Sequence, residues 1–599
     1  MEMRRFREWQ SPLSPQEAHR VPLATPRIWG AGIGLLRGTA TRGGSQLWFV
    51  KGSQWTPITP QDRRVGSSLY SYGVTSWSPW SDKKALVLMS DRGTLTLVHR
   101  RRGILREFPL DGTAQGFPVR WSAHECAYVA DFGVGRGRAI VVLDVTTGLS
   151  RHVYETTGLI GDLTVERHEG LVAWLEWASG TMPWESARAV VAQRSYLRLR
   201  PDEVPTPGGA AGNLTFRKSV LHGVCEASDR FIPFTYDNDT VRLTERFPGE
   251  GRSDWFFGWR WTAHGAGVTR WVSLSEATTS LVTIDADGNC DAVDGSPLAI
   301  QEIDGDGERI VAVGDDGQSP TALFEYRLES QTWRRRDAPS GSDRISAAPV
   351  GELRRTSNGT PFVYYEPHHP NYTAPSDDRP GVILTVHGGP TATAGRGFRF
   401  ETQLLATSGF AVASVEYTGS TGYGAKFRRG LYGRYGDIDV QDVLDVARFL
   451  VARGEVNPSA IFVRGGSSGG MTALLCAEDE LIAGAIVAYP VTDLLQLHEA
   501  THEAEGGYLE DLVGPLPESE AKFRDLSPQH RERTPRRVLI FQGDSDPVVP
   551  ASLVRTYVAS LRSRNIDVDY FEFTGEGHGF RQSDTREKVA KEELRFLRA

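Results

Sequence analysis

"AIFVRGGSSGGMTALLCAEDE" (residues 460–480) places two adjacent serines inside a run of glycines, between an apolar stretch and a helix-forming one. Strand, Gly-x-Ser-x-Gly, helix is the grammar of a nucleophile elbow, in which a serine is held on a tight, strained turn with its hydroxyl exposed. The flanking positions must be small so that strand and helix can pass closely. The pattern fits in two registers: Gly465 to Gly469 selects Ser467, and Gly466 to Gly470 selects Ser468. The length of the strand leans toward Ser467, because the turn then follows "FVRGG" directly.

A nucleophilic serine needs a base, and the base needs a carboxylate to orient it. Where an elbow sits on an α/β sheet, these follow in the chain order Ser, Asp or Glu, His. The last fifty residues contain one histidine, His578, in the glycine-rich "FEFTGEGHGFRQ". "RVLIFQGDSDPVVP" supplies Asp544 and Asp546 just past an apolar strand. Loops beyond strand carboxyl ends are where open α/β sheets keep their sites. Asp546 is the expected acid and Asp544 its rival. Upstream, "TVHGGPT" (385–391) offers glycines whose N–H groups can face a developing oxyanion, the second donor being the N–H after the nucleophile.

The surroundings agree with this chemistry. "GVILTVHGG", "GFAVASVEY", "AIFVRGG", "AGAIVAYP", "RVLIFQG" and "VDYFEFTG" read as strands buried on both faces. Amphipathic helices lie between them: Val440, Val443, Leu444, Ala447 and Leu450 share one face, and Leu553, Val554, Tyr557, Val558 and Leu561 share another. Alternating strands and helices predict a mostly parallel sheet covered on both sides, an α/β-hydrolase domain over residues 350–599. Residues 21–340 follow a different grammar of short strands joined by Asp-Gly or Thr-Gly turns, without amphipathic helices. "TSWSPWSDKKALVLMSD", "VRWSAHECAYVAD" and "WRWTAHGAGVTRWVS" resemble one another, each with an aromatic entry, a polar turn and an apolar strand. That repetition predicts an all-β propeller. "APSGSDRISAAP" (338–349) reads as the linker, and residues 1–20 as an extension that packs on the hydrolase domain. The aromatics of "DWFFGWRW" (254–261) read as blade core, with the lining of a buried chamber as the alternative.

Composition narrows the partners. The chain has 599 residues, a net charge of −8 and four widely separated cysteines. Basic runs such as "HRRRG" are short and border apolar strands, so nucleic acid is not an expected partner. No apolar stretch is long enough for a transmembrane helix, and "MEMRRFREWQSPLSPQ" lacks the apolar core of a secretory signal. A reducing cytoplasm is expected. Cysteine spacing fits neither a disulfide framework nor a zinc site, and no metal or organic cofactor is expected. Oligomeric state leaves no motif.

On five motifs in order, the C-terminal half resembles the catalytic domain of the prolyl oligopeptidase family (peptidase family S9). These are "HGGPT", "VEYTGSTGYGAKFRRGLYGRYGDIDVQDV", "RGGSSGGMTALL", "FQGDSDPVVP" and "GEGHGF". "MPWES" (182–186) is similar to a propeller segment of a bacterial branch of acylaminoacyl-peptidase-like and dipeptidyl-aminopeptidase-like enzymes that includes puromycin hydrolase. The resemblance implies a seven-bladed propeller and Ser467 as nucleophile, Asp546 as acid and His578 as base, with the N–H groups of Gly389 and Ser468 as the oxyanion hole. It implies hydrolysis of amide bonds in short peptides or acyl-amino compounds; ester hydrolysis or acyl transfer would use the same groups. Glu505 and Tyr423 are the candidate substrate contacts, with Glu503 and Glu185 as further carboxylates able to meet a free N-terminus. Two departures bear on specificity: Thr418 and Gly507 stand where relatives carry arginine.

Overall fold

The computed structural model describes residues 1–19, 22–39, 44–67, 69–70, 74–133, 135–166, 168–251, 258–265, 267–338, 349–500 and 505–599. Glu503, residues 254–257 and most of the linker (339–348) lie outside the described residues.

Among the described residues, seven four-stranded antiparallel sheets follow one another along the chain, at 23–57, 77–109, 114–156, 159–203, 211–243, 262–292 and 299–336. They are blades 1 to 7 of a β-propeller. Each blade is covered on both faces by its neighbours, so its inner strands are apolar throughout rather than alternating: Ala139 to Leu143 are all buried. The three similar phrases noticed in the sequence are the hairpins joining the first and second strands of blades 2, 3 and 6. The tryptophans belong to this packing: Trp29, Trp77, Trp174 and Trp271 fill the spaces within and between blades. Trp261, in the described part of "DWFFGWRW", is buried in the same core.

The C-terminal part is built on one eight-stranded sheet: β1 (Glu352–Arg355), β2 (Pro361–Tyr365), β3 (Val382–Val386), β4 (Ala411–Val415), β5 (Ile461–Gly466), β6 (Gly484–Ala488), β7 (Arg537–Gly543) and β8 (Asp567–Phe573). Their order is 1-2-4-3-5-6-7-8, antiparallel at β1–β2 and β2–β4 and parallel elsewhere. This is the expected α/β-hydrolase architecture. β8 departs from the reading of a strand buried on both faces: it is the sheet's edge, and its side chains are half-buried or exposed. The helix Ile438–Ala452 buries Val443, Leu444, Val446, Ala447 and Leu450, close to the face read from its periodicity. The first residues pack on this domain. Glu2–Met3 pairs with Tyr372–Thr373, Gln10 accepts a hydrogen bond from the His369 Nε2 at 2.8 Å, and Leu13 joins Phe400, Leu404 and Ala590.

The two parts are joined by charge as well as contact. Arg428, almost fully buried, reaches Glu226 at 2.8 Å and Glu185 at 3.2 Å; Arg429 reaches the same two carboxylates at 2.7 and 2.9 Å. Burial alone would raise the Glu226 carboxyl, but Arg429 and Arg428 outweigh it and hold it below its ordinary range. A depressed carboxylate contributes stability above its unfolded value, about 4.5, and that contribution is lost as pH falls through the lower folded value. Arg428→Met leaves buried carboxylate charge under-compensated, and removing one partner of such a cluster costs about 3 kcal/mol. Urea unfolding at neutral pH is expected to show that loss. The deficit is expected to shrink in acid, where Glu226 protonates.

Candidate active site

Four loops meet at the carboxyl ends of β3, β5, β7 and β8, and each carries one of the expected groups. Ser467 follows β5 directly and caps the helix Ser468–Cys476 with φ 56° and ψ −127°, a left-handed conformation that a non-glycine residue rarely adopts. The glycines around it are required by contact. A Cβ on Gly465 would lie 2.1 Å from the Gly469 carbonyl oxygen, and one on Gly469 would lie 2.5 Å from the carbonyl oxygens of Val386 and His387. The two serines are therefore not equivalent. Ser467 occupies the strained turn and is partly exposed, whereas Ser468 begins the helix and its buried Oγ has no hydrogen-bond partner among the described residues.

The two aspartates also separate. The Asp546 carboxylate is fully enclosed and meets the His578 Nδ1 at 2.9 Å through Oδ2 and 3.2 Å through Oδ1. Its Oδ1 also accepts the N–H groups of Val548 at 2.8 Å and Val549 at 3.0 Å. Asp544 instead accepts the Gly575 N–H at 2.7 Å and the Ser545 hydroxyl at 2.8 Å, which ties it to the turn after β8.

Tyr489, after β6, links the elbow to the imidazole. Its ring lies 4.6 Å from that of His578 between centroids, and it sits 3.1 Å from where a Cβ on Gly466 would project. The glycine loop after β3 lies against the elbow from the other side, with Gly388 close enough that its Cβ would be 3.4 Å from that of Ser467. Gly389, at φ 128°, occupies backbone space that side chains avoid, and a Cβ there would crowd the Thr391 nitrogen at 2.9 Å. His387 anchors this loop. Its Nε2 lies 2.8 Å from the Ser420 hydroxyl, and the Tyr417 hydroxyl donates to the His387 and Pro390 carbonyls at 2.9 and 3.1 Å. Burial pushes the His387 imidazole down to about 4, so it stays neutral through the physiological range. Tyr508 closes the loop through a 2.6 Å hydroxyl contact with Thr391 and packs edge-on against Trp184 of the propeller.

Sequence reasoning named neither Tyr489 nor Tyr508, and quoted His387 without a role; the one signal available was position, since Tyr489 and His387 each directly follow a parallel strand. Glu505 stands in the turn preceding Tyr508, whose N–H its carbonyl accepts at 3.0 Å. Glu185 is engaged by Arg428, Arg429 and the Tyr432 hydroxyl. Tyr423 packs on Phe427 and faces the Arg355 guanidinium at the junction with the propeller, its buried hydroxyl without a partner among the described residues. None of its ring contacts reaches Ser467, Asp546 or His578. Gly507 lies against the propeller: a Cβ there would be 2.3 Å from the Gly180 carbonyl oxygen, so the arginine of relatives could not be accommodated without moving that loop. Thr418 faces Gly430 and donates its N–H to Asp442 at 2.7 Å.

A serine on a strained strand-to-helix turn, with an Asp–His pair at the same sheet edge and a seven-bladed propeller above, defines an α/β-hydrolase with a propeller domain. Residues 396–599 match the model of the prolyl oligopeptidase family. Dipeptidyl peptidase family member 6 of Caenorhabditis elegans is 31% identical over 34% of this chain and 28% of its own length. Dipeptidyl aminopeptidase BIII of Pseudoxanthomonas mexicana is 31% identical over 33% of this chain and 30% of its own length. The matched region thus spans less than a third of these curated relatives. The similarity of fold extends further. A puromycin-hydrolyzing peptidase of Mycobacterium tuberculosis superimposes over 100% of this chain and 97% of its own, with a TM-score of 0.91 at 22% identity.

Proposed function

We propose that the chain is a serine peptidase that cleaves amide bonds of short peptides or acyl-amino compounds through an acyl-enzyme on Ser467. The observation that carries this reading is the enclosed Asp546–His578 pair, 2.9 Å apart, at the sheet edge that also presents Ser467 on its strained turn. Ser467 Oγ attacks the scissile carbonyl carbon. His578 Nε2 takes the hydroxyl proton and returns it to the leaving amine, whose C–N bond breaks. Asp546 holds the Nδ1–H tautomer and stabilises the imidazolium. The N–H groups of Gly389 and Ser468 hold the oxyanion, and water then repeats the sequence on the ester. The oxyanion loop is rigid before substrate arrives, because His387, Tyr417 and Tyr508 fix it from three sides; preorganised donors cost no rearrangement in the transition state.

The names of the relatives, a dipeptidyl peptidase and a dipeptidyl aminopeptidase, favour peptide substrates, and Glu505 stands beside Tyr508 where a free N-terminus could be met. A fluorophosphonate probe is expected to label the wild type but not Ser467→Ala. A panel of aminoacyl, dipeptidyl and N-acyl-aminoacyl chromogenic amides is expected to show turnover. Turnover of esters alone would replace the peptidase reading with that of an esterase, and absence of labelling would leave a non-catalytic scaffold.

A further inference from the structure

The propeller carries a second concavity, on the face turned away from the hydrolase domain. Blade 7 fixes that orientation. Its first strand, Ala299–Gly305, starts opposite Asp315, which accepts the Phe398 N–H of the hydrolase domain, and ends at Asp304 and Gly305 in the wall of the concavity. The cavity has a volume of about 880 Å³ and takes its wall from the corresponding strand ends of blades 1, 2, 3, 4 and 7. It is the outer mouth of the central channel, but it is not a passage. The peptide at Gly258 spans the channel below it. Gly258 N–H donates to Asp162 of blade 4 at 2.8 Å, and its carbonyl accepts Thr75 at 2.5 Å and Arg27 of blade 1 at 3.3 Å. The pocket around this crossing is small, about 70 Å³. The mouth is therefore a blind cup of the size that holds small ligands.

The rim of the cup is basic. Two adjacent hairpin tips of blade 2 put Lys83, Lys84 and His99 in the wall, with Arg101 and Arg102 following His99 in the chain outside the lining; Lys84 pairs with His99 in the ladder, and Arg100 N–H bonds the Lys83 carbonyl at 2.9 Å. Among the described residues, none of the Lys83, Lys84, Arg101 and Arg102 side chains has a hydrogen bond or ion pair. Elsewhere the wall's charges are answered: Arg260 pairs with Asp304 at 2.8 Å, and Arg120 donates to the Trp80 carbonyl at 2.9 Å while lying over its ring. Asp82 is the acidic group beside the lysines. Two lysines in the lining and two arginines beside it, against one nearby carboxylate, make a local basic excess in a chain of net charge −8. The short "HRRRG" run finds its meaning there, as one half of a cluster completed by Lys83 and Lys84.

We propose that this cup binds a small multivalent phosphate anion. A multivalent anion suits the site because closely spaced lysines and arginines act together on adjacent phosphoryl oxygens, whereas a single carboxylate would engage only one of them. A blind concavity favours a soluble anion over a flat lipid surface. The test is calorimetric titration of the full-length protein with sodium tripolyphosphate, with acetate and anionic phosphatidic acid vesicles as comparisons. Binding is expected for tripolyphosphate and not acetate, weakening as salt rises because exposed charges are screened. Lys83→Ala/Lys84→Ala and Arg101→Ala/Arg102→Ala, at or beside the tips of surface hairpins, are each expected to weaken it about tenfold, and the quadruple variant to abolish it, with amide hydrolysis unchanged. Equal affinity in the quadruple variant overturns the proposal. So does absence of tripolyphosphate binding, or binding to vesicles alone.

Discussion

Replacing Ser467 with alanine is expected to lower kcat about 10⁶-fold, the scale seen when the nucleophile of a catalytic triad is removed, while leaving KM and the fold close to wild type. The structure explains why the loss is confined to chemistry. The turn is held by glycine contacts at positions 465 and 469 and by backbone bonds, with the Ser467 N–H on the Ala488 carbonyl at 3.1 Å. Alanine keeps both the Cβ and these bonds. The rate that survives would come from the oxyanion donors and binding, about 10³–10⁴ over water. Ser468→Ala is the internal control, because Ser468 enters the proposal only through its N–H. Its buried Oγ has no partner among the described residues, so removing it is expected to change kcat by no more than about threefold and to cost no stability. If the Ser468 variant were the inactive one, the elbow would be in the other register. Steady-state rates on a chromogenic amide, with fluorophosphonate labelling of both variants, decide between them.

How far the sequence could be read depended on whether structure was local. The elbow is legible because its chemistry lies within one turn: the glycines at 465 and 469 are demanded by carbonyl oxygens that the strand–helix crossing brings within about 2.5 Å. Strands β3 to β7 are legible because burial on both faces leaves an unbroken apolar run. β8 gives a similar run yet lies at an edge, because edge position depends on which strand comes next in space, and no residue records that. In the propeller, the hairpins of blades 2, 3 and 6 share an aromatic entry and a polar turn and so announce the repeat. Blade number is not marked, since the other hairpins meet the same packing demand with different residues.

The site divides along the same line. Chain order and strand ends suffice to nominate His578 and Asp546. The role of Tyr489 follows from the neighbouring of β5, β6 and β7, and the role of Tyr508 from the folding of a distant loop onto Thr391. The Glu185–Arg428–Glu226–Arg429 cluster joins positions roughly two hundred residues apart, and isolated charges in a sequence carry no partner label. Glu185 illustrates the cost of reading charge alone. It qualifies as a free carboxylate until the structure shows two arginines and a tyrosine on its oxygens.

Asp546→Asn is expected to reduce kcat about 10⁴-fold with little change in stability, and the hydrogen-bond pattern says why. Oδ1 of Asp546 accepts two backbone N–H groups, from Val548 and Val549, while Oδ2 faces the imidazole Nδ1. An asparagine must keep its oxygen toward the two backbone donors, because turning its NH₂ there would set donor against donor in an enclosed position. Its NH₂ then points at His578 Nδ1 and donates to it. That forces the proton onto Nε2, the nitrogen that must be bare to receive the Ser467 proton. The variant keeps its shape, its burial and its turn, and holds the base in the wrong tautomer. Asp544→Asn shares none of this logic, since that carboxylate serves only its turn, and its rate is expected to stay within about threefold of wild type. Thermal unfolding of both variants beside their kcat values separates a positional effect from a chemical one. Wild-type turnover in Asp546→Asn would place the orienting carboxylate elsewhere, and the assignment of His578 as base would lose its support.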